Sequence, residues 1–137
     1  MHAENQFLLI CNQMKYQVYV IELYKRVFNE NAKFRAANPQ FNGVLECLYV
    51  GMTSKTPKER FEQHKTGYRN KKGHKLSSNI VEKYGWYLRP SLYNHLNLKP
   101  MNREEALKME AKLAWYLREP LLTPYSKYFY SFCIFHV

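Results

Sequence analysis

Not one aspartate occurs in the 137 residues, and all 11 acidic side chains are glutamate. Sites that chelate hard divalent cations through paired aspartates are thereby excluded. Any such site must rest on Glu, with water and ligand oxygens completing the shell. Cysteine is scarce as well. Cys11, Cys47 and Cys133 are odd in number and far apart, so neither a close zinc-ligand pair nor a disulfide scaffold is expected. Long apolar runs are missing too. Phe7 to Cys11 is too short for the core of a secretory leader, and no stretch reaches the length that spans a bilayer. The expectation is a reducing, intracellular compartment with no membrane association. The chain also lacks internal repeats and low-complexity segments.

What is present is apolar, aromatic and basic. Hydrophobic residues at 46% and aromatics at 16% suit one folded domain with a sizeable core and exclude wholesale disorder. Lys and Arg number 21 against the 11 acids, a formal charge of +10. That excess favours a polyanionic partner, and nucleic acid before membrane, because no long basic amphipathic helix occurs.

Residues 1 to 15 are ambiguous between strand and helical turn, since the run Phe7 to Cys11 has no decisive period. Tyr16 to Tyr24 has the Val, Ile and Tyr content of a strand. Tyr16, Val18 and Val20 fall on one face, and Gln17, Tyr19, Ile21 and Leu23 on the other. The polar connection from Lys25 to Gly43 is long for a hairpin loop and has room for a helical turn. Val44 to Val50 returns as a second strand, expected antiparallel to the first, which brings Tyr19 and Tyr49 to one region. A short helix capped by Ser78 or Asn79 and closed by Gly85 leads to a third strand, Trp86 to Tyr93, which Pro90 confines to an edge. The last clear element is a helix from Arg103 to Glu119, with Asn102 as its cap, Glu105 completing a capping box and Pro120 stopping it. The expected fold is α/β: a small, mainly antiparallel, three-stranded sheet flanked by helices. It forms a single domain over 1 to 137 whose core runs from 16 to 119. The extension 120 to 137, with Tyr125, Tyr128, Phe129, Tyr130, Phe132, Ile134 and Phe135, is too apolar for a free tail. It is expected to pack on the domain or on a second copy in a homodimer.

The chemistry concentrates between Leu48 and Gly67. A strand ending at Val50 runs into a turn built on Gly51, Thr53 and Ser54, then into a helix with Thr56 as N-cap, Pro57 in the first position and Glu59 as capping-box partner. Gly67 is suited to close it in the left-handed conformation. Arg60 and His64 lie one turn apart and share a face, a suitable setting for an anion beside Tyr49. Each has a plainer reading: Arg60 as a solvated surface residue, His64 as a surface residue, Tyr19 and Tyr49 as core residues of their strands. On the later helix, Ala106, Met109, Leu113, Ala114 and Leu117 form the apolar stripe at 100° steps, and Glu110 falls in its middle. A carboxylate there is costly unless paired or metal-bound. Glu110 is therefore a metal ligand or half of a buried ion pair with Arg60 or Arg89. Lys65 to Lys75 interleaves Lys65, Tyr68, Arg69, Lys71, Lys72 and Lys75 with two glycines and contains no acid. It is a solvated loop or a phosphate-gripping one, with Tyr68 free to stack on a base. His74, His95 and His136 lack ligand spacing with one another and read as surface or packing residues.

Tyr49-Val50-Gly51 resembles the second half of the signature of the GIY-YIG nucleases, and Gln17-Val18-Tyr19 stands upstream where the first half would be. Gln17 and Val50 replace the Gly and Ile of the family pattern. Arg60 and His64 on the helix after the second motif, and Glu110 on a later helix, fit the family's Arg, His and Glu. The Asn that many members carry after the Glu helix has no counterpart beyond Asn102. The likeness covers Tyr16 to Glu119. It implies a metal-dependent endonuclease that hydrolyses DNA phosphodiesters, branched and single-stranded DNA included. In that reading Tyr19 is the leading general base, Tyr49 holds the attacking water or the phosphate, and Arg60 stabilises the phosphorane charge. A single Mg²⁺ or Mn²⁺ sits on Glu110. A phenol is a poor base at neutral pH unless a nearby cation lowers its pKa. Two other classes stay open: an inert nucleic-acid-binding module of the same fold, and an interaction protein acting through its aromatic C-terminus.

Overall fold

Two strands of β-branched and aromatic residues organise the chain, and the rest is laid against them. The computed structural model describes residues 3–75, 77–119 and 131–136. In chain order these form α1 (Ala3–Gln13), β1 (Gln17–Leu23), α2 (Arg26–Glu30), α3 (Ala32–Ala37), β2 (Cys47–Thr53), α4 (Pro57–Thr66), α5 (Asn79–Tyr84), β3 (Gly85–Leu88), α6 (Arg103–Arg118) and β4 (Cys133–His136). Short 3-10 turns at Pro90–Leu92 and Asn94–Asn97 join β3 to the segment before α6. The sheet is mixed and mostly antiparallel, with strand order β3-β1-β2-β4 and helices packed against it. The α/β class and the antiparallel pairing of the first two strands are as expected.

The strand β1 pairs with β2 in unbroken register, from Gln17 opposite Thr53 to Leu23 opposite Cys47. Both are buried almost throughout, because they occupy the middle of the sheet and α4 and α6 pack against both. Tyr19 stands opposite Gly51 and Ile21 opposite Tyr49, so the two tyrosines are diagonal neighbours on one face.

Three expectations need correction, and two that were open are resolved. The sheet has four strands, because β4 adds to β2 in parallel, Cys47 opposite Cys133 through Val50 opposite His136. A parallel partner arrives from a distant part of the chain, and nothing local in the tail announces it. Gly51 to Thr53 is the end of β2, so the turn begins only at Ser54. The third strand stops at Leu88 instead of Tyr93, since Pro90 begins a 3-10 turn. The first fifteen residues carry the helix α1, and the long connection after β1 holds two short helices that bury Val27 and Phe34.

That connection also ends in a structural device. The buried Asn38 amide donates to Ile134 O at 2.9 Å, and its Oδ1 accepts from Ile134 N at 2.8 Å. One side chain thus supplies the hydrogen bonds that a fifth strand would give the outer edge of β4. Of the C-terminal aromatics, Phe132 and Phe135 pack on the core and Ile134 belongs to it. The expectation for Tyr125, Tyr128, Phe129 and Tyr130 lies outside the described residues.

Candidate active site

The expected helix signals position the site. Thr56 Oγ1 accepts from Glu59 N at 3.1 Å, and Gly67 closes α4 at φ 67° with its N–H on helix carbonyls. Asn102 and Glu105 form the reciprocal capping box that starts α6. From those two helices and the two central strands, Tyr19, Tyr49, Arg60, His64 and Glu110 converge on one cavity of about 460 Å³. A second cavity, about 470 Å³, runs along α6 around Leu92, Met109 and Trp115 and contains none of these five.

Gly51 is what lets the tyrosines meet. A Cβ there would lie 2.6 Å from Tyr19 Oη and 3.1 Å from Tyr49 Cε1. The Tyr19 ring therefore crosses directly over the Gly51 backbone, and its hydroxyl reaches α4. There His64 Nε2 lies 2.9 Å from Tyr19 Oη, while Ser78 N–H donates to His64 Nδ1 at 2.8 Å. The second contact settles the tautomer: Nδ1 is an acceptor, so the proton of the neutral ring sits on Nε2 and points at Tyr19 Oη. His64 is fully buried, and burial followed by the Arg60 charge lowers its pKa to about 4. It is a fixed donor that positions the Tyr19 hydroxyl.

Tyr19 itself is held above its usual pKa, first by burial and then by Tyr49; Arg60 is the cation that pulls it down. Tyr49 is also raised by burial, against which Ser78 and Arg60 act. Arg60 Nη1 donates to Gln63 Oε1 at 3.1 Å.

Glu110 is buried as the stripe implied, and its partner is a residue read from sequence as incidental. His136 Nε2 lies 2.9 Å from Glu110 Oε1. Arg89, one of the two expected partners, is committed elsewhere: its Nη1 lies 2.7 Å from Glu22 Oε1, which also accepts from the Tyr87 hydroxyl at 2.9 Å. Burial raises Glu110 to about 7 from the usual 4.5.

Opposite pH slopes follow from these two groups. Glu110 keeps its proton longer when folded, so its contribution to stability is present below 4.5 and lost as pH rises through about 7. His64, held at about 4 against the usual 6.5, contributes above 6.5 and loses that contribution as pH falls towards 4. In the wild type these two slopes oppose each other, and His136, whose pKa burial and then the Arg118 charge lower, adds to the loss at low pH. Glu110→Gln removes one slope and should leave a protein that loses about 3 kcal/mol between neutral and pH 4. Urea unfolding at stepped pH measures this, and a Gln variant no steeper than wild type would contradict the buried, donor-only His64.

The basic loop divides in two. Lys65 Nζ donates to Gly85 O at 2.8 Å, Arg69 Nη1 donates to Gly73 O at 3.0 Å, and Lys75 pairs with Glu82 of α5 at 2.6 Å. Lys65 and Lys75 tie the loop to the fold, Arg69 closes the loop on itself, and Glu82 supplies the acid that the loop itself lacks. Lys71 and Lys72 are exposed, and Tyr68 lines a shallow cavity of about 290 Å³ that shares Arg60 and Met52 with the main one. Lys25 and Arg35, in the connection after β1, also donate to backbone carbonyls.

Three site residues escaped sequence reasoning besides His136. Arg103 lines the cavity from the first turn of α6. Its signal was available, since 103, 107 and 110 follow the spacing of one helical face. Ser77 and Ser78 line it from the segment before α5, and Ser77 Oγ is buried with no hydrogen-bond partner among the described residues. Among those residues, no three or more His, Cys or Glu side chains gather into a metal-binding group. Comparison with protein-family models, curated proteins and solved structures returns no match.

Proposed function

We propose that the chain is a metal-dependent endonuclease that hydrolyses DNA phosphodiester bonds, similar in its chemistry to the GIY-YIG nucleases. The observation that carries this reading is the convergence of Tyr19, Tyr49, Arg60, His64 and Glu110 on one cavity from four separate elements. A buried phenol bonded by a donor-only imidazole, with an Arg beside it and a carboxylate across the cavity, suits an anion that gains charge during reaction.

In this reading each residue takes a role its position supports. Arg60 and Arg103 line the cavity and supply guanidinium groups for the phosphate, and the unpartnered Ser77 hydroxyl can donate to one of its oxygens. Tyr19 acts as phenolate, its own proton having left to solvent: water attacks phosphorus, its proton passes to Tyr19 Oη, the bond from phosphorus to the 3′ oxygen breaks, and that oxygen takes a proton from solvent. His64 cannot take that proton, because Ser78 N–H occupies its Nδ1 and Nε2 already bears a hydrogen. It stabilises the Tyr19 oxygen by donating to it. Burial outweighs Arg60, so the Tyr19 pKa stays raised; Arg60 opposes that rise, which couples clamp to base. Tyr49, 6.2 Å away between ring centroids and stacked, orients water or phosphate.

The donor set fits one hard cation that keeps water and phosphate in its shell, and does not fit an all-protein cage. Glu110 would hold that Mg²⁺ or Mn²⁺, which when bound supplies charge stabilisation at the leaving 3′ oxygen. Supercoiled plasmid should be nicked with Mg²⁺ or Mn²⁺ and spared with EDTA. Salt-sensitive binding with no nicking under any divalent metal would favour the inert binding module instead.

In the same complex, Lys71 and Lys72 are the loop cations placed to meet phosphates. Replacing both with Ala should weaken binding alike across unrelated sequences and make the slope of log K against log salt shallower by about two units. Turnover at saturating DNA should hardly change, because neither lines the cavity. An unchanged slope would make the loop a solvated surface.

A further inference from the structure

We propose that His136 is a second protein ligand of the divalent cation, its Nε2 bonding the same ion as Glu110 Oε1, which makes the site selective for a metal that accepts an imidazole, Mn²⁺ over Mg²⁺. The inference rests on the reading of Glu110 as a metal ligand and deepens it.

The distance is the first support. The two donor atoms lie 2.9 Å apart. Two adjacent ligands of an octahedral cation, each bonded at about 2.1 Å, lie about 3.0 Å apart. The pair is therefore already at the spacing at which one ion can bridge both atoms. Entry of the ion replaces the hydrogen between them: a proton on the carboxyl leaves to solvent, and a proton on Nε2 is exchanged for one on Nδ1, so that the neutral ring presents its Nε2 lone pair to the metal.

The second support is how firmly His136 is held. It ends β4, whose inner edge pairs with β2 and places His136 opposite Val50. The outer edge is tied at Ile134 by both atoms of the Asn38 amide, and Arg118 Nη2 donates to Ile134 O at 3.3 Å. The preceding residue, Phe135, stacks on Tyr49 with centroids 5.6 Å apart and on Phe34 at 6.3 Å. These contacts fix the backbone that carries His136, and a ligand needs its donor atom held in place. His136 is also the more accessible of the pair, with 28% of its side chain exposed against 6% for Glu110. Glu110 lines the cavity, from which an ion and its waters reach the carboxylate.

The choice of metal follows from the donor. An imidazole nitrogen binds Mn²⁺ and the later divalent metals in preference to Mg²⁺, which keeps oxygen ligands and water. A carboxylate alone gives no such preference.

The test uses the full chain and Mn²⁺ as the probe. Electron paramagnetic resonance follows loss of the free Mn²⁺ signal on titration, and pulsed measurements on the bound ion detect a directly coordinated ¹⁴N. Wild type is expected to bind one Mn²⁺ with ¹⁴N coupling. His136→Gln should lose the coupling and bind Mn²⁺ at least about tenfold more weakly, while Mg²⁺ affinity by competition changes little. His64 cannot supply the coupling, since both of its nitrogens are already bonded within the fold. Bound Mn²⁺ without ¹⁴N coupling in wild type overturns the inference and needs no variant to fold. Tighter Mn²⁺ binding by His136→Gln does so as well, since it would make His136 a competitor for Glu110. Either result leaves Glu110 as the ligand. Mn²⁺ that stays free at excess protein, or that binds Glu110→Gln as well as wild type, overturns the metal reading of Glu110 itself.

Discussion

Glu110→Gln is expected to abolish metal-dependent nicking of supercoiled plasmid by orders of magnitude while the fold and DNA binding survive. The substitution keeps the shape of the side chain and leaves an oxygen that accepts from the His136 imidazole, 2.9 Å away in the wild type. What it removes is the charge that holds a divalent cation. Stability should not fall at neutral or alkaline pH, because ionising a carboxylate in this buried setting is unfavourable, as its raised pKa of about 7 records. Circular dichroism, unfolding and plasmid nicking on one preparation check all three parts. A variant that cuts at the wild-type rate removes Glu110 from the site. One that fails to fold assigns Glu110 and His136 to a structural ion pair.

Tyr19→Phe and Arg60→Ala are each expected to remove most of the activity, and the double variant should lose far less than the product of the two losses. The reason lies in their coupling. Burial holds the Tyr19 hydroxyl above its usual pKa, and Arg60 is the cation that acts against this. Without Arg60, Tyr19 is harder still to ionise; without the Tyr19 oxygen, the influence of Arg60 on it is void. Some of the Tyr19→Phe loss will be conformational. The His64 Nε2–H, 2.9 Å from Tyr19 Oη in the wild type, loses its buried acceptor at a cost of about 1–3 kcal/mol. Rates must therefore be compared at a temperature where all variants are folded. Full additivity would separate the two residues into independent roles. A fully active Tyr19→Phe with a dead Tyr49→Phe would transfer the base to Tyr49.

Features that depend on neighbours within a turn or two are legible in the amino-acid order. Thr56, Pro57 and Gly67 bracket α4, and Asn102 with Glu105 starts α6, because caps act within a single turn and need no distant partner. The apolar stripe of α6 places Glu110 on its buried face for the same reason: helical periodicity depends only on spacing, and Ala106, Leu113, Ala114 and Leu117 are buried beside it. The pairing of β1 with β2 is readable from two successive strands rich in Val and Tyr. Gly51 marks the limit of such reasoning. Its residue type suggests a turn, whereas it continues β2 and is small because the Tyr19 ring crosses over it.

Contacts between distant parts of the chain were decided by the tertiary structure alone. No local signal could pair Cys133–His136 in parallel with β2, and so nothing could bring His136 to Glu110. Asn38 in a polar connection gave no sign that it would serve as the missing neighbour of β4. Nor could composition say which basic residues were already engaged; Lys65 became a brace only once Gly85, twenty positions onward, stood beside it. The protonation of His64 belongs to the same class. Its residue type leaves the tautomer open, and a single peptide N–H from Ser78, fourteen positions onward, makes it a donor to Tyr19. Spacing along a chain determines which face a residue occupies, but the atom it meets there depends on which distant segment the packing brings opposite.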